Sequence, residues 1–402
     1  MLTKPKLLII LLFFNLNIFP QEINDLYFKA YSNKEYKNYE NAITYYSKAI
    51  KNNPNNHLYF IEKGECYYLL NNYNKAINDF HEANKIKPDI ADYYIAKCYA
   101  KLKNNDTTII YLEKHLESKY KLYKSQIRLD KDFIEISKTK QWENLWKKDW
   151  YNKYENLLAD AQYLIKKNKL NDALDIVNDI IDRRTKWHKA YIIRAQIYVY
   201  EKNYKLAIED YNTAIKYRKR NDNYYLYRAK AFYNLGKYKK ALSDYSTALK
   251  LNQYNLNYYL QKSETEYFLK KYESSLSDIN IYITYFNTDD KAISLCGKIH
   301  FEMGNYLKAL EYFNKAIELN PSEIEYLISR ADTYLATKTY KYAEQDYSMI
   351  LDISPFLGKV YYNRGIARQN LNNTKGACRD WEKARMYKYL DADKYLMKHC
   401  VK

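Results

Sequence analysis

Residues 238–248 read YKKALSDYSTA, and the spacing of the larger and smaller apolar residues in this stretch decides the fold. Tyr238, Ala241, Tyr245 and Ala248 are separated by steps of 3, 4 and 3. Such steps gather side chains on one face of an α-helix, whereas a strand would gather alternate residues. The stretch recurs with a period of 34 residues: Ala207, Ala241, Ala309 and Ala343 keep the beat, Ser275 fills the gap, and Ala173 and Ala377 extend it. Three positions earlier stand Tyr204, Tyr238, Tyr272, Tyr306 and Tyr340. Four positions later come Tyr211, Tyr245, Ile279, Phe313, Tyr347 and Trp381. Twelve positions earlier a small residue recurs, as Ala161, Ala195, Ala229, Ser263, Gly297, Ala331 and Gly365, and Pro321 and Pro355 close two of the units. Small residues let two antiparallel helices approach closely, and aromatic residues at helical spacing fill the space between that pair and the next.

This small–aromatic–alanine–aromatic–alanine–proline pattern resembles the tetratricopeptide repeat, and it runs through seven consecutive units over residues 154–390. A second block lies upstream. Its best unit carries Gly64, Tyr67, Tyr73, Ala76, Phe80, Ala83 and Pro88. An earlier unit has Tyr39, Ala42, Tyr46, Ala49 and Pro54, with a first helix that fits poorly. A later one has Ala96, Tyr99 and Leu112 but puts Asn105 and Thr108 in the tyrosine and alanine slots. The expected fold class is therefore all-α: an α-solenoid of antiparallel helix pairs, about ten repeats in two blocks with a C-terminal capping helix. The organisation reads as a signal peptide (1–21), an N-terminal block (22–116), a helical connector (117–153), a C-terminal block (154–390) and a cap (391–402). Trp142, Trp146 and Trp150 in the connector follow steps of four, which on a helix would place them near one face. Such a stripe either packs the blocks together or docks a partner.

Export is read from the first residues. Lys4 and Lys6 precede an apolar run from Leu7 to Phe14, and Asn15 and Asn17 interrupt the apolar character beyond it. The run is well short of the roughly 20 apolar residues a membrane-spanning helix needs. A periodic pattern of solvated helices and this leader together predict a periplasmic or secreted protein with no transmembrane span once the signal is removed. The chain has 66 Lys and Arg against 48 Asp and Glu, a net charge of +18. That excess allows contact with an anionic surface. Its longest basic cluster, Arg218-Lys219-Arg220, is only three residues, and the export signal opposes nucleic-acid binding.

Nothing in the sequence has the form of a reaction centre. Histidines at 57, 81, 115, 188, 300 and 399 lack ligand partners at helical spacing, and glycine, 7 residues in all, supplies no phosphate loop. The expectation is no catalytic residue, no metal and no cofactor. In an exported chain cysteines are read as possible disulfides. Cys378 and Cys400 lie eleven residues either side of Tyr389, where the last repeat turns into the terminal helix. A helix hairpin centred there would set the two side chains opposite each other. Cys66, Cys98 and Cys296 have no such partner.

The family resemblance implies that first helices line a concave groove where ligands lie. Carried onto this chain, the groove comprises Ile192, Val199, Leu226, Lys230, Tyr233, Leu260, Tyr267, Lys298, Phe301, Ile328, Leu335 and Tyr362. Some of these apolar residues also read as inward packing. As a groove, the set suits a peptide or protein segment with apolar anchors. The expected function is a non-catalytic protein-interaction scaffold of the cell envelope; the alternative is a glycan or envelope-polymer binder using the aromatic lining.

Overall fold

The computed structural model describes residues 19–400, with side chains from Asp25 onward, so most of the expected signal peptide lies outside the described residues. Among the described residues there are 23 α-helices, two short 3-10 turns and no strand. The chain divides into two compact units, 1–197 and 198–402.

The first unit opens with three helix pairs: α1 (Phe19–Glu35) with α2 (Tyr39–Asn52), α3 (His57–Leu69) with α4 (Tyr73–Ile86), and α5 (Asp92–Lys101) with α6 (Asn105–Glu117). The poorly fitting first helix of the sequence is a full helix in the structure. Ala30, 34 residues before Gly64, fills the small slot with no exposed surface, beside buried Tyr27 and Phe28. An irregular segment comes next: α7 (Lys124–Arg128), 3-10 turns at Lys131–Phe133 and Ile136–Lys138, and α8 (Lys140–Leu145). Then come α9 (Lys153–Lys166), α10 (Leu170–Arg183) and α11 (His188–Tyr200), within which the division falls.

The tryptophans do not share a helical face. Helix α8 ends at Leu145, Trp146 caps it, and Trp150 folds back so that its indole N–H donates to the Leu145 carbonyl at 2.6 Å. Six helical residues are too few to carry a stripe of steps of four. Trp142 is 5% exposed in a cluster with Ile127, Phe133, Ile136 and Leu145 that seats on Ala96, Leu112 and Leu116 of α5 and α6; Trp146 and Trp150 pack at its margin. The segment closes the apolar flank of the third helix pair, which would otherwise face water.

The second unit continues with α12 (Tyr204–Tyr217), then five pairs: α13 (Asp222–Asn234) with α14 (Tyr238–Leu251), α15 (Asn257–Phe268) with α16 (Tyr272–Tyr285), α17 (Asp290–Glu302) with α18 (Tyr306–Leu319), α19 (Ile324–Ala336) with α20 (Tyr340–Ile353), and α21 (Gly358–Asn370) with α22 (Thr374–Met386). The last helix, α23 (Ala392–His399), packs on α22.

Each pair turns through a residue in the left-handed region. Gly236, Lys270, Gly304, Lys338 and Asn372, spaced 34 apart, have φ of 68°, 57°, 76°, 59° and 61°. This geometry aims the freed N–H groups back at the last carbonyls: Lys237 N–H reaches Phe232 O at 2.9 Å and Gly236 N–H reaches Tyr233 O at 2.9 Å. The small slots are close approaches. A Cβ on Gly297 would stand 2.6 Å from the Phe313 ring, and one on Gly365 would stand 2.4 Å from Nε1 of Trp381. Where the facing aromatic is tyrosine instead, as in Ala229 with Tyr245 or Ala331 with Tyr347, an alanine is accommodated and both residues are buried.

A charged ladder runs on the same beat as the small and aromatic residues. The guanidinium of Arg330 forms a two-pronged pair with Asp346 at 2.8 Å and a bond to Asn314 of the preceding pair at 2.8 Å. Arg228 repeats this with Asp244 and Asn212, and Arg364 with Asp380 and Ser348. Lys262 holds Asp278 in the intervening unit. Each arginine rung grips a buried carboxylate within its own pair and reaches Asn212, Asn314 or Ser348 on the preceding second helix, giving register to otherwise non-directional apolar contacts.

The cap is tied covalently: Cys378 of α22 and Cys400 after α23 form a disulfide with Cα atoms 5.7 Å apart. Leu396 is buried against Trp381, and Tyr395 lies 5.0 Å from the Trp381 ring, so α23 covers the apolar side of the last pair. Cys66, Cys98 and Cys296 are buried thiols, each pushed up to about 12 by burial.

Candidate binding groove

In the second unit the first helices of successive pairs touch one another: α15 meets α17, α17 meets α19, and α19 meets α21. The short turns fix this, since an antiparallel second helix must return on the opposite side of each pair. The 34-residue period then puts equivalent residues of each first helix in one row.

The structure brings four of the sequence-derived residues onto two adjoining clefts. Tyr233, Tyr267 and Lys298 line the first, together with Glu264, Phe268, Lys291, Ser294, Leu295 and Tyr326, around a volume of about 220 Å³. Tyr267, Lys298 and Phe301 line the second with Glu302, Phe313, Glu325, Ser329 and Asp332, again about 220 Å³. The aromatic walls brace one another. Tyr233 meets Phe268 edge-on at 5.7 Å, Tyr267 meets it at 5.6 Å, and Tyr238 stacks on it at 5.0 Å. Phe268 itself is 49% exposed, an apolar ring left facing water at the centre of this wall.

The charges are mixed. Lys298 reaches Glu325 at 3.4 Å, and Lys230 is exposed. Burial raises the Glu264 carboxyl above its ordinary range, repulsion from Asp289 adds to this, and Lys230 partly offsets both. Burial also pushes the Tyr233 hydroxyl up to about 12. These are walls for apolar or aromatic groups with a few polar fixing points, the ordinary character of a ligand cleft.

Other residues of the sequence-derived set are placed differently. Ile192 is 7% exposed and belongs to the first unit; its side chain is core and not groove lining, because the flank of α11 on which it stands is covered. Val199, Leu226 and Leu260 are half-buried. Ile328, Leu335 and Tyr362 pack against the apolar cluster of the last two pairs, and the Tyr362 ring is covered by Tyr389 at 5.0 Å and Tyr395 at 5.4 Å. The cap consumes that end of the row. Sequence reasoning passed over Phe268 and Lys291. Phe268 comes directly after Tyr267 and has no aromatic counterpart 34 residues on, so a search for recurring residues could not find it. The ladder arginines did carry a signal, since Arg330 and Arg364 keep the period.

Among the described residues, no group of three or more His, Cys, Asp or Glu could hold a metal ion, and no helix is long and apolar enough to cross a membrane.

Stacked pairs of near-identical length, a recurring small–aromatic contact and a row of first helices define a helical repeat protein built to present a surface. The chain carries tetratricopeptide repeats. Family profiles described as Tetratricopeptide repeat match residues 194–255 and 291–323, and one described as Anaphase-promoting complex, cyclosome, subunit 3 matches residues 35–115. Over 94 residues the chain is 33% identical to serine/threonine-protein phosphatase 5 of Homo sapiens, covering 23% of this chain and 19% of that protein. It is 30% identical over 87 residues to RNA polymerase II-associated protein 3 of Xenopus tropicalis, covering 22% and 13%. The chain thus spans a fifth or less of the length of these relatives. A tetratricopeptide repeat protein from Parabacteroides merdae superposes with a TM-score of 0.49 at 20% identity, over 61% of this chain and 97% of that one. Repeats of this family serve as protein–protein interaction scaffolds.

Proposed function

We propose that this chain is a non-catalytic scaffold of the cell envelope that holds a peptide or protein segment in the groove of its second unit. The observation that carries the reading is the pair of adjoining clefts along α13, α15, α17 and α19. Their aromatic walls, Tyr233, Tyr267 and Phe268 in the first and Tyr267 and Phe301 in the second, meet at Tyr267 and are braced by ring contacts. Aromatic anchors held in place in this way lose little rotamer freedom on binding. Placement in the envelope is supported by Lys4 and Lys6 ahead of the Leu7–Phe14 run and by the Cys378–Cys400 bond, which persists in oxidising compartments.

The test is a displayed peptide library panned on the purified chain, alongside the triple variant Tyr233→Ala/Tyr267→Ala/Phe301→Ala. Enrichment of peptides with apolar anchors, lost in the variant while helicity stays, supports the reading. A library without enrichment, or binding that survives the triple variant, overturns it. Envelope glycans captured in place of peptides would favour the polymer-binding alternative. Affinity for peptides should change little with salt, whereas a nucleic-acid ligand would be lost steeply. Fusion of residues 1–21 to a reporter that works only after export tests the location, and an inactive fusion would count against it.

A further inference from the structure

Positions of the second unit's first-helix row have counterparts in the first unit that a segment of the chain itself covers. Relative to the small residue of each first helix, Tyr233 and Tyr267 sit four positions on, Lys230 one position on, and Leu226 three positions back. Applied to Gly64 of α3 and Ala96 of α5, the same offsets give Tyr68, Lys97 and Tyr93. These residues, with Lys101 one turn beyond Lys97, are occupied by the irregular segment that comes after α6.

The occupant is Asp130-Lys131-Asp132-Phe133. The Tyr93 hydroxyl donates to the Asp130 carboxylate at 2.6 Å. Lys97 lies 3.5 Å from Asp130 and 3.0 Å from Asp132, and Lys101 lies 2.7 Å from Asp132. Burial, together with Asp132 beside it, pushes the Tyr68 hydroxyl up. The Lys97 ammonium is sandwiched between the rings of Tyr68 and Tyr93, at 5.2 and 5.9 Å from their centres. Burial pushes the Asp132 carboxyl up, but hydrogen bonds from Lys101, Tyr68 and Lys97 outweigh it and hold the carboxyl below its ordinary value. Phe133, 1% exposed, packs edge-on to Tyr93 at 5.9 Å and beside Trp142 at 5.7 Å. The acidic and aromatic side chains of one four-residue segment thus take hydrogen bonds, ion pairs and ring contacts from groove positions on two successive helix pairs. A connector needed only to link helices would not require its carboxylates there.

We propose that residues 130–133 are a tethered ligand of the first unit's groove. The groove is a receptor for a segment with two carboxylates one residue apart and then an aromatic, and it admits such a segment from a partner only by displacing its own. The tether sets the threshold. A covalently linked occupant acts at an effective concentration in the range of about a millimolar, and the affinity seen by an external segment is reduced by the fraction of time the groove stands open. This inference concerns the first unit and is independent of what the second unit binds.

The test uses the full chain and a fluorescent peptide with the sequence of residues 127–136. The variant Asp130→Lys/Asp132→Lys places like charges against Lys97 and Lys101 and should empty the groove. It should bind the peptide at least about tenfold more tightly than the parent chain, and adding Lys97→Glu should abolish that binding. Equal affinity of parent and variant, or no binding to a folded variant, overturns the proposal. Should the variant lose its fold, amide exchange decides the matter. Lys97→Glu/Lys101→Glu should raise exchange over residues 130–133 by about tenfold while α3 and α4 stay protected, and adding Asp130→Lys/Asp132→Lys should restore protection. Exchange that is unchanged by the first substitution, or not restored by the second, also overturns it.

Discussion

Replacing Gly365 with alanine tests whether the small slots are steric requirements or merely helix-compatible positions. The added Cβ would lie 2.4 Å from Nε1, 2.7 Å from Cδ1 and 2.9 Å from Cε2 of Trp381, where carbon contacts are comfortable at about 3.5–4.0 Å. The indole cannot step aside cheaply. It has no exposed surface, its N–H donates to the Tyr362 carbonyl at 3.2 Å, and Tyr395 and His399 lie against it at 5.0 and 5.8 Å. Overpacking at such a site costs about 1–3 kcal/mol, and loss of the indole hydrogen bond adds about 1 kcal/mol. Against this, alanine favours a helix interior over glycine by about 1 kcal/mol. The net expectation is a destabilisation of about 1–3 kcal/mol at the C-terminal pair. Urea unfolding monitored by tryptophan fluorescence and by amide exchange over α21–α23 measures it. Because Ala229 with Tyr245 and Ala331 with Tyr347 already pack without conflict, the double variant Gly365→Ala/Trp381→Tyr should recover most of the loss. A single variant as stable as the parent chain would refute the steric argument, since the propensity gain would then stand unopposed.

Lys270, at φ 57° in the turn between α15 and α16, should gain about 0.5–1 kcal/mol on replacement by glycine, which enters the left-handed region without a Cβ conflict; thermal melting checks this. Arg330→Ala should cost about 2–3 kcal/mol, because Asp346 is left 5% exposed without its partner, while Arg330→Lys should recover only part of this; denaturant midpoints distinguish them. His115, whose Nε2 accepts the Leu122 N–H at 3.0 Å, is lowered by burial from 6.5 to about 4. The unfolded chain therefore binds a proton below pH 6.5 that the folded chain refuses, so stability present above that pH falls by as much as about 3 kcal/mol on the way to pH 4. The stability gap between parent and His115→Asn should close over that window. Reduction of Cys378–Cys400 should loosen α23 first, by about 3 kcal/mol for a loop of this size. Cys66, Cys98 and Cys296 should resist alkylation at mildly alkaline pH until the chain unfolds, and peptide mapping reads both results.

The sequence by itself determined the helix pairs, their period and the residues at their crossings, because each is a local matter. A 34-residue beat of small and aromatic side chains has only one economical packing, and Tyr233, Tyr267 and Phe301 fall into a row for the same reason. Even the pairing of Cys378 with Cys400 came from their equal distance to one turn. Tertiary structure decided everything that breaks the beat. Phe268 became the exposed centre of the groove wall through contacts with Tyr233 and Tyr238 on other helices. Tyr362 was withdrawn from the row because the cap lies over it. The tryptophans of the connector looked like a helical stripe by spacing alone, yet α8 stops at Leu145 and Trp142 turns into the third pair. Asp130 and Asp132 reached Lys97 and Lys101 across some thirty residues of chain. No local rule forecasts such contacts, because their free energy depends on where an irregular segment comes to rest and not on the residues beside it in the sequence.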